Sequence, residues 1–399
     1  MGKIGVYGGT FNPPHAGHSL AVQEMIRALD LDRVLLVPAA VPPHKALAAG
    51  SPGPQLRLQM LRLAAAGLPK VEVDDQELRR EGPSYTVDTV RALHARYPGD
   101  SLFLLMGTDM FRSFDQWYQP EEICRYVTIV TAHRSEDPMP ACRQLQEQAE
   151  RIRRTYQAQV VILENRFLEM SSTEVRRMLR FQCAETYLEP AVLSFIREHS
   201  LYGAGENLKG LRFEDLKRAS LSLHDPKRVP HVIGCCETAA RLARRWGADE
   251  ALAARAGILH DVTKALGKTA QLLLCEKYGI MTNAFERQHY KLLHSRTGAA
   301  AARHIFGECD AVYEAIYWHT TGKAQMSVLE KILYLADYME PNRDFEGVET
   351  LRELAMRDLD AALLCGFEMS IALLKSEGKA LDRYTVEARD FLLGERTKA

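Results

Sequence analysis

The sequence lacks several features that would assign a chain to a class at once. No apolar run in its 399 residues approaches the roughly 18 residues of a membrane-spanning helix, and the start, MGKIGVYGG, does not have the pattern of a secretory signal. An excess of charge of one sign is also missing, because 51 lysines and arginines stand against 52 aspartates and glutamates. We therefore expect a cytoplasmic protein with no membrane and no nucleic acid among its partners, while a local basic site for a phosphate ligand stays compatible with this balance.

The eight cysteines include no C-x-x-C pair. In a chain of this length their scatter indicates free thiols in a reducing compartment rather than a disulfide framework or a thiolate zinc site. Internal repeats and low-complexity tracts are absent from the sequence as well. What remains is an ordinary globular composition, 46% hydrophobic, which is enough apolar material for the two or three domains that the length predicts.

Short β-branched runs alternate with helix-period segments in the first half of the chain. The expected strands are residues 3–7, 33–38, 102–106, 127–132 and 160–165, and the clearest helices between them are residues 19–29, 55–66 and 84–97. This alternation predicts an α/β Rossmann-like domain built on a parallel sheet. Ligands of such sheets bind at the carboxyl ends of the strands, so the loops after the strands are the places to look for chemistry.

The pattern changes after residue 202. Residues 203–210 are glycine-rich and polar, with nothing to bury, and we expect a linker over 203–211 between a domain of residues 1–202 and a domain of residues 212–399. Helices are predicted in the second domain at 229–246, 251–260, 296–306, 311–319 and 327–340, and no strand is evident. The second domain is therefore predicted to be an all-α helical bundle.

The loop after the first strand, residues 8–18, has the sequence GGTFNPPHAGH. Its glycines allow a ligand to approach the backbone, and the helix that follows offers free N–H groups to a phosphate. His15 and His18 are three residues apart, so both imidazoles lie on the same side of the first helical turn. There they could stabilise charge on a polyphosphate. On these residues alone, a tight turn with two packing histidines stays an alternative.

This loop resembles the signature of the nucleotidyltransferase superfamily, in which the H-x-G-H histidines hold the phosphates of ATP. The segment SSTEVR, residues 171–176, resembles the S-S-T-x-x-R element that closes over the same phosphates in that superfamily. The resemblance implies an ATP site, with Mg²⁺ carried by the nucleotide and with His15 and His18 as catalytic residues. The implied ATP-binding residues are Gly8, Gly9, Thr10, Phe11, His15, His18, Ser172, Thr173 and Arg176.

Further segments of the first 202 residues resemble bacterial nicotinate-nucleotide adenylyltransferases, namely VPPHK at 41–45, SYT at 84–86 and GTD at 107–109. The resemblance implies transfer of the adenylyl group of ATP to nicotinate mononucleotide, which yields nicotinate adenine dinucleotide and pyrophosphate. The implied acceptor-binding residues are Lys45, Thr86, Asp109, Trp117 and Arg134, with Trp117 stacked on the pyridine ring. A core position for Trp117 stays open, as do phosphopantetheine and nicotinamide mononucleotide as acceptors.

The second half carries histidines and aspartates in an ordered series. Its members are His231, His260, Asp261, His294, His319 and Asp337. Asp337 follows Leu329 and Leu333 at steps of four residues, so its carboxylate falls on an apolar helix stripe, where it needs a cation or a metal as partner. Imidazoles with a bridging carboxylate inside a helical bundle suit iron, manganese or zinc.

The series resembles the HD-domain metal phosphohydrolases in their dinuclear form. Within them, the segments RVPHVIG, HDVTK and ADYMEPNR resemble the YqeK family of diadenosine tetraphosphate hydrolases. From about residue 212 onward, the resemblance implies symmetrical hydrolysis to two ADP, with two metal ions held by the six residues of the series and bridged by a catalytic Asp261. Iron is the expected metal and manganese its alternative. Lys264 and Arg343 are candidate phosphate contacts.

Two alternatives stay open for the second half. One is hydrolysis of another nucleotide, such as a deoxynucleotide, and the other is a sensor that binds a nucleotide and regulates the adenylyltransferase. The segment HDVTK departs from the H-D-x-x-E-D of guanosine tetraphosphate hydrolases, and the GYP motif of cyclic dinucleotide phosphodiesterases is not in the sequence. We therefore expect a fusion of two enzymes that act on small nucleotides, and the sequence leaves a homo-oligomer open.

Overall fold

A parallel six-stranded sheet forms the centre of the first half of the chain. The computed structural model describes residues 2–43, 46–134, 139–165 and 170–397, and the chain divides into one unit over Met1–Glu206 and a second over Asn207–Ala399. The strands of the first unit are β1 Lys3–Gly9, β2 Arg33–Pro38, β3 Val71–Val73, β4 Ser101–Leu105, β5 Val127–Arg134 and β6 Val160–Asn165. Their order is β3-β2-β1-β4-β5-β6, which reverses between β1 and β4. The predicted Rossmann-like fold is confirmed.

Helices connect and cover these strands. In the described part of the first unit they are α1 Ala16–Leu29, α2 Pro54–Ala65, α3 Thr86–Arg96, α4 Thr108–Arg112, α5 Pro120–Tyr126, α6 Met139–Tyr156, α7 Ser172–Arg180 and α8 Pro190–Glu198. Successive residues of β2 belong to different apolar layers, Val34 and Leu36 to one and Leu35 and Val37 to the other. The sheet is therefore buried on both faces, which explains the unbroken apolar runs of its strands.

Two local features of this unit differ from the sequence prediction. The strand β3 was not predicted, because its three residues at the sheet edge alternate in exposure over too short a run to identify a strand. Helix α1 begins at Ala16 rather than at the predicted Ser19, because His15 takes the extended backbone conformation of an N-cap residue.

The second unit is helical throughout residues 207–397, where the structure contains no strand. Its helices are α9 Phe213–Leu221, α10 Val229–Trp246, α11 Glu250–Leu259, α12 Lys268–Lys277, α13 Ala284–Gln288, α14 Leu293–His304, α15 Asp310–Trp318, α16 Val328–Met339, α17 Val348–Arg357, α18 Leu359–Ser376 and α19 Arg383–Arg396. The five predicted helices correspond to α10, α11, α14, α15 and α16. Across the described residues, none of the helices is both long and apolar enough to cross a membrane.

The segment between the predicted domains differs from the expectation that it buries nothing. Ala204 and Leu208 are only 6% and 4% exposed, and Glu206 pairs with Arg180 of α7 at 3.0 Å. Two isolated apolar residues in a polar, glycine-rich stretch are too weak a pattern to predict that the segment packs. The segment thus buries two apolar side chains, whereas a linker over residues 203–211 stays a prediction.

Helices α10 and α11 cross closely at Gly257. A Cβ atom added to this glycine would lie 2.6 Å from the Cα of Cys236. Because that neighbour is backbone, it cannot move aside without displacing a helix. The crossing therefore requires glycine at this position.

We predict that Gly257→Ala lowers the free energy of unfolding of the second unit by about 2 kcal/mol, the usual cost of overpacking a close contact. The measurement is urea unfolding of the full chain followed by circular dichroism. Gly394→Ala is the matched control, because that glycine also lies in a helix but has open space around its Cβ position. Equal unfolding midpoints for the two variants would contradict the close crossing.

Candidate functional site

A cavity of about 400 Å³ lies at the carboxyl end of the sheet, where the strand order reverses between β1 and β4. Its walls come from the end of β1, the start of α1, the loop from β4 into α4, β5, and the start of α7. The lining includes Tyr7, His15, Gly17, His18, Met106, Gly107, Thr108, Asp109, Ala132, Ser171 and Ser172. Ligands of open α/β sheets bind in this crevice. The structure thus brings four of the predicted residues, His15, His18, Asp109 and Ser172, to one cavity.

His15 and His18 are in contact at the start of α1, with ring centroids 3.7 Å apart. The backbone N–H of His15 donates to Nδ1 of His18 at 3.1 Å. A neutral His18 ring that accepts at Nδ1 carries its proton on Nε2 and therefore offers a donor there. Burial lowers the pKa of His18 to about 4, and burial together with the charge of His18 lowers the pKa of His15 well below its usual range. The fold thus favours two neutral rings at pH 7, and the charge of a bound polyphosphate would raise both pKa values.

The start of α7 is bonded to the loop between β1 and α1. Ser172 Oγ donates to the carbonyl of Pro13 at 3.0 Å, and Nη1 of Arg176 donates to the carbonyl of Asn12 at 2.7 Å. Arg176 also donates to Oγ1 of Thr173 at 3.0 Å. The two motifs that stand at opposite ends of the domain in the sequence are therefore neighbours in the fold.

The remaining predicted ATP-binding residues support the same loop. Gly8 and Gly9 are the last residues of β1, and a Cβ added to Gly8 would meet no atom within 4 Å, so the backbone there is open to close approach. Phe11 is buried and packs against the ring of His18 with centroids 5.1 Å apart. Thr10 offers its carbonyl to Arg57. Phe11 and Thr10 thus stabilise the loop but do not line the cavity.

The predicted acceptor-binding residues are not all gathered at this cavity. Asp109 lines it, whereas Thr86 at the start of α3 and Trp117 do not. Trp117 packs on Phe114 with ring centroids 5.5 Å apart, at the margin of an apolar layer. Lys45 lies outside the described residues, and Arg134 is the last residue of β5 with a side chain outside the described part. Stacking of Trp117 on a pyridine ring stays a prediction.

Sequence reasoning missed Arg57, a fully buried arginine of α2. Its Nη1 donates to the carbonyl of Thr10 at 2.7 Å and its Nη2 to the carbonyl of Ala40 at 3.1 Å, so it joins the loops after β1 and β2. A signal was present in the sequence. Arg57 shares the buried helix stripe of Met60 and Leu61, the same kind of misplaced charge that drew attention to Asp337.

In the second unit, the six residues of the predicted series converge. They come from five helices or the turns at their ends: His231 from α10, His260 and Asp261 from the end of α11, His294 from α14, His319 from the end of α15 and Asp337 from α16. The Nε2 atoms form two close pairs, His231 with His260 at 3.3 Å and His294 with His319 at 3.2 Å.

Asp261, which is fully buried, lies between these pairs. Its Oδ1 is 3.2 Å from Nε2 of His294 and 3.8 Å from that of His319. Its Oδ2 is 3.4 Å from Nε2 of His260 and 3.8 Å from that of His231. A carboxylate with one oxygen toward each imidazole pair has the geometry of a bridging ligand between two metal ions.

Asp337 completes one of the two halves. Its Oδ1 is 3.1 Å from Nε2 of His231 and 3.8 Å from Nε2 of His260. Burial by itself would raise the pKa of Asp337, but its hydrogen bond with His231 and the charge of His260 hold that pKa well below its usual range. Burial would likewise raise the pKa of Asp261, but the charge of His260 is the main influence that holds that pKa well below its usual range. Both carboxylates are therefore ionised and can act only as acceptors or ligands.

The outer nitrogens of the four imidazoles all have fixed acceptors. Nδ1 of His260 and Nδ1 of His319 donate to the carbonyls three residues earlier, each at 2.7 Å. Nδ1 of His294 donates to the carbonyl of Lys291, and Nδ1 of His231 to Glu340 at 3.1 Å. With Nδ1 fixed as a donor, a ring that binds a metal presents the lone pair of Nε2 on the side of the carboxylates, as a histidine ligand requires. This donor set fits two divalent metal ions.

Three cationic side chains lie beside the carboxylates. Nε of Arg228 is 2.9 Å from Oδ2 of Asp261, and Nζ of Lys264 is 3.3 Å from the same carboxylate. Nη2 of Arg343 is 2.8 Å from Oδ1 of Asp337. Lys264 and Arg343 were predicted as phosphate contacts, and the structure places both at the centre. Arg228 was missed, because one basic residue before a helix carries no signal of its own.

Glu340 is a further residue that sequence reasoning missed. Only 1% exposed, it accepts from the ring of His231 and from the backbone N–H of Asn342 at 2.7 Å. Gly234, one turn after His231, makes room for it, since a Cβ there would overlap Oε2 of Glu340. Glu340 follows Asp337 by three residues in the segment ADYMEPNR, so the signal was one more acid on the same apolar helix.

We predict that Glu340→Gln weakens binding of Mn²⁺ about ten- to hundredfold, the usual cost of losing the partner of a ligating histidine. The neutral amide is a weaker acceptor for Nδ1–H of His231 than the carboxylate is. The measurement is calorimetric titration of the metal-free full chain with Mn²⁺. Glu330→Gln is the matched control, because that buried glutamate of α16 pairs with Lys323 instead. Equal Mn²⁺ affinities of the two variants would exclude an orienting role for Glu340.

Comparison with known proteins matches each unit separately. The Cytidylyltransferase-like family matches residues 6–178. A probable nicotinate-nucleotide adenylyltransferase of Synechococcus sp. (strain JA-3-3Ab) is 38% identical over 201 residues, which are 50% of this chain and 94% of that protein. A protein of the same description from Geobacillus kaustophilus (strain HTA426) is 37% identical over 209 residues, 51% of this chain and 88% of that protein.

The HD domain family matches residues 228–342, the stretch that runs from Arg228 past Glu340. A solved structure from Clostridium acetobutylicum, described as a predicted HD superfamily hydrolase involved in NAD metabolism, is 35% identical. The match covers 46% of this chain and 98% of that one, with a TM-score of 0.45. An adenylyltransferase-like half and an HD domain are thus joined in one chain.

Proposed function

Through its N-terminal half the chain belongs to the nicotinate-nucleotide adenylyltransferases, and from this we propose that it transfers the adenylyl group of ATP to nicotinate mononucleotide. A phosphate oxygen of the mononucleotide bonds to the α-phosphorus of ATP. The bond from that phosphorus to the α,β-bridging oxygen breaks, and pyrophosphate leaves with the electron pair. The products are nicotinate adenine dinucleotide and pyrophosphate. The protein has to position the reactants and stabilise charge, and it needs no covalent intermediate.

The observation that carries this proposal is the meeting of His18, Ser172 and Asp109 at one cavity. The Nε2–H group of His18 would donate to the phosphates of ATP, where negative charge grows as pyrophosphate departs. The starts of α1 and α7 present the positive ends of two helix dipoles, which favour a bound anion. Asp109, which lines the same cavity, can accept hydrogen bonds from ribose hydroxyls. Mg²⁺ carried by ATP would neutralise part of the phosphate charge.

We predict that His18→Ala lowers the rate of adenylyl transfer at least about a hundredfold, because a donor to the transferring phosphates is lost. The measurement is pyrophosphate release from ATP and Mg²⁺ with nicotinate mononucleotide, nicotinamide mononucleotide or phosphopantetheine as acceptor. His94→Ala, at an exposed position of α3 away from the cavity, is the matched control and should keep the wild-type rate. Preference of the wild type for another of these acceptors would overturn the proposed substrate.

For the second half we propose a dinuclear metal phosphohydrolase that cleaves diadenosine tetraphosphate symmetrically. The observation that carries this is the position of Asp261 between two imidazole pairs. His231, His260 and Asp337 would hold one metal, His294 and His319 the other, and Asp261 both. When bound, the two ions would supply the Lewis acidity for hydrolysis of a phosphoanhydride. We expect iron, with manganese as its alternative.

The charges around the centre support a polyphosphate substrate. Arg228, Lys264 and Arg343 can each donate to phosphate oxygens, and three cations suit a ligand that carries several negative charges better than a monophosphate. Addition of water across the central anhydride gives one ADP that keeps the bridging oxygen and a second that takes the oxygen of water. A full set of six ligands favours catalysis over a role as a nucleotide sensor.

We predict that the chain loaded with iron(II) or manganese converts diadenosine tetraphosphate to two ADP, and that Asp261→Ala abolishes both metal retention and turnover. The products are separated by chromatography, and the metal content is measured on the same samples. Adenylyl transfer by Asp261→Ala and hydrolysis by His18→Ala serve as reciprocal controls, and both should keep wild-type rates. AMP plus ATP as products would overturn the symmetrical cleavage, and absence of turnover with metal bound would favour the sensor.

A further inference from the structure

The hydroxyl of Tyr202 reaches from the end of the first unit to the loop between β1 and α1. It donates to Oδ1 of Asn12 at 2.8 Å. Asn12 is only 3% exposed, its side-chain amide donates to Oγ of Ser51 at 2.8 Å, and its carbonyl accepts from Arg176 at 2.7 Å. The bond to Tyr202 therefore satisfies the last strong acceptor of a buried side chain.

The backbone around Tyr202 takes a conformation that its own residues disfavour. Ser200 and Tyr202 have φ values of 50° and 58°, in the left-handed region that residues with a Cβ atom rarely occupy. Gly203 follows with a φ of 70°, and the ion pair of Arg180 with Glu206 lies against it. Contacts outside the local sequence therefore hold this turn, and strain of this kind persists where a side chain must be placed.

Two arginines, the buried Arg57 and the half-buried Arg176, donate to carbonyls of the same loop as Tyr202. Arg57 donates to the carbonyl of Thr10 and Arg176 to the carbonyl of Asn12. Burial raises the pKa of Tyr202, and the charges of Arg176 and Arg57 oppose that effect without reversing it. The phenol stays protonated and remains a donor. Three donors from three separate parts of the chain thus fix residues 10–12.

We propose that Tyr202 is a positioning residue for adenylyl transfer, acting through Asn12 on the loop that leads to His15 and His18. The inference rests on the ATP-dependent activity proposed above. Between Asn12 and His15 lies Pro13, whose carbonyl binds Ser172, so a displacement of Asn12 shifts both walls of the cavity. Tyr202, shortly before the chain enters the second unit, is therefore bonded to the loop of residues 10–15 between β1 and α1, which we call the nucleotide loop.

The test is Tyr202→Phe in the full chain, which removes the hydroxyl and keeps the ring. We expect KM for ATP to rise about fivefold, the effect of one ordinary hydrogen bond, with KM for nicotinate mononucleotide unchanged. Tyr187→Phe is the matched control: its hydroxyl is buried in the same unit and makes no hydrogen bond to the residues that the structure describes. Equal KM values for ATP in the two variants would overturn the inference, and so would a parallel rise of both KM values.

A double-mutant cycle with Asn12→Ala tests whether Tyr202 acts through Asn12. Tyr202→Phe should change KM for ATP by less than about twofold when Asn12 is already alanine, because the two residues share one path. Full additivity of the two changes would overturn the inference. Calorimetric titration with ATP alone gives the same comparison without an acceptor. If the wild type fails to adenylylate nicotinate mononucleotide, the proposed function fails, while the ATP affinities still decide the role of Tyr202.

Discussion

The burial of ionised Asp261 is the constraint on which the second unit depends. A carboxylate removed from water costs several kcal/mol unless cations or metals replace its hydration, roughly as for any buried ion. Four imidazoles, from α10 and α14 and from the turns that end α11 and α15, lie within 4 Å of this carboxylate. Helices that approach this closely need small residues where they meet. Gly257 faces the backbone of Cys236, and Gly298 lies near the carbonyl of His260.

The first unit places cationic side chains, rather than carboxylates, next to its candidate site. Arg57 and Arg176 are held by the carbonyls of Thr10, Ala40 and Asn12 rather than by carboxylates, among the hydrogen bonds of the described residues. Carbonyl oxygens satisfy the guanidinium donors but carry no net charge, so positive potential persists around the loop. One half of the chain thus gathers acids and imidazoles that suit metal ions, and the other places two cationic side chains beside a loop that suits a polyphosphate.

How much of this the sequence can predict depends on whether a residue breaks a local pattern. The apolar runs of β2 and the helical period of α10 follow directly from burial, and Asp337 stands out because it interrupts an apolar stripe. Arg57 interrupts a stripe in the same way, but α2 has a weaker period, since polar residues alternate with leucines. Arg228 and Tyr202 break no pattern at all, and the acid at Glu340 is visible in the sequence but its partner is not. Their roles come from partners about 30 to 190 positions away in the sequence, and only the tertiary fold brings those partners together.

The two sets of site residues explain how the two proposed reactions can share one chain without sharing a side chain. Every residue that lines the nucleotide cavity comes from the first unit, and all six predicted metal ligands come from the second. Neither set depends on the other for a side chain, so the reactions can be separated by single substitutions. What the units share is the chain itself, and that chain leaves the first unit through a strained turn bonded to Asn12. The turn and the loop before His15 are therefore joined, within the first unit, by the bond from Tyr202 to Asn12.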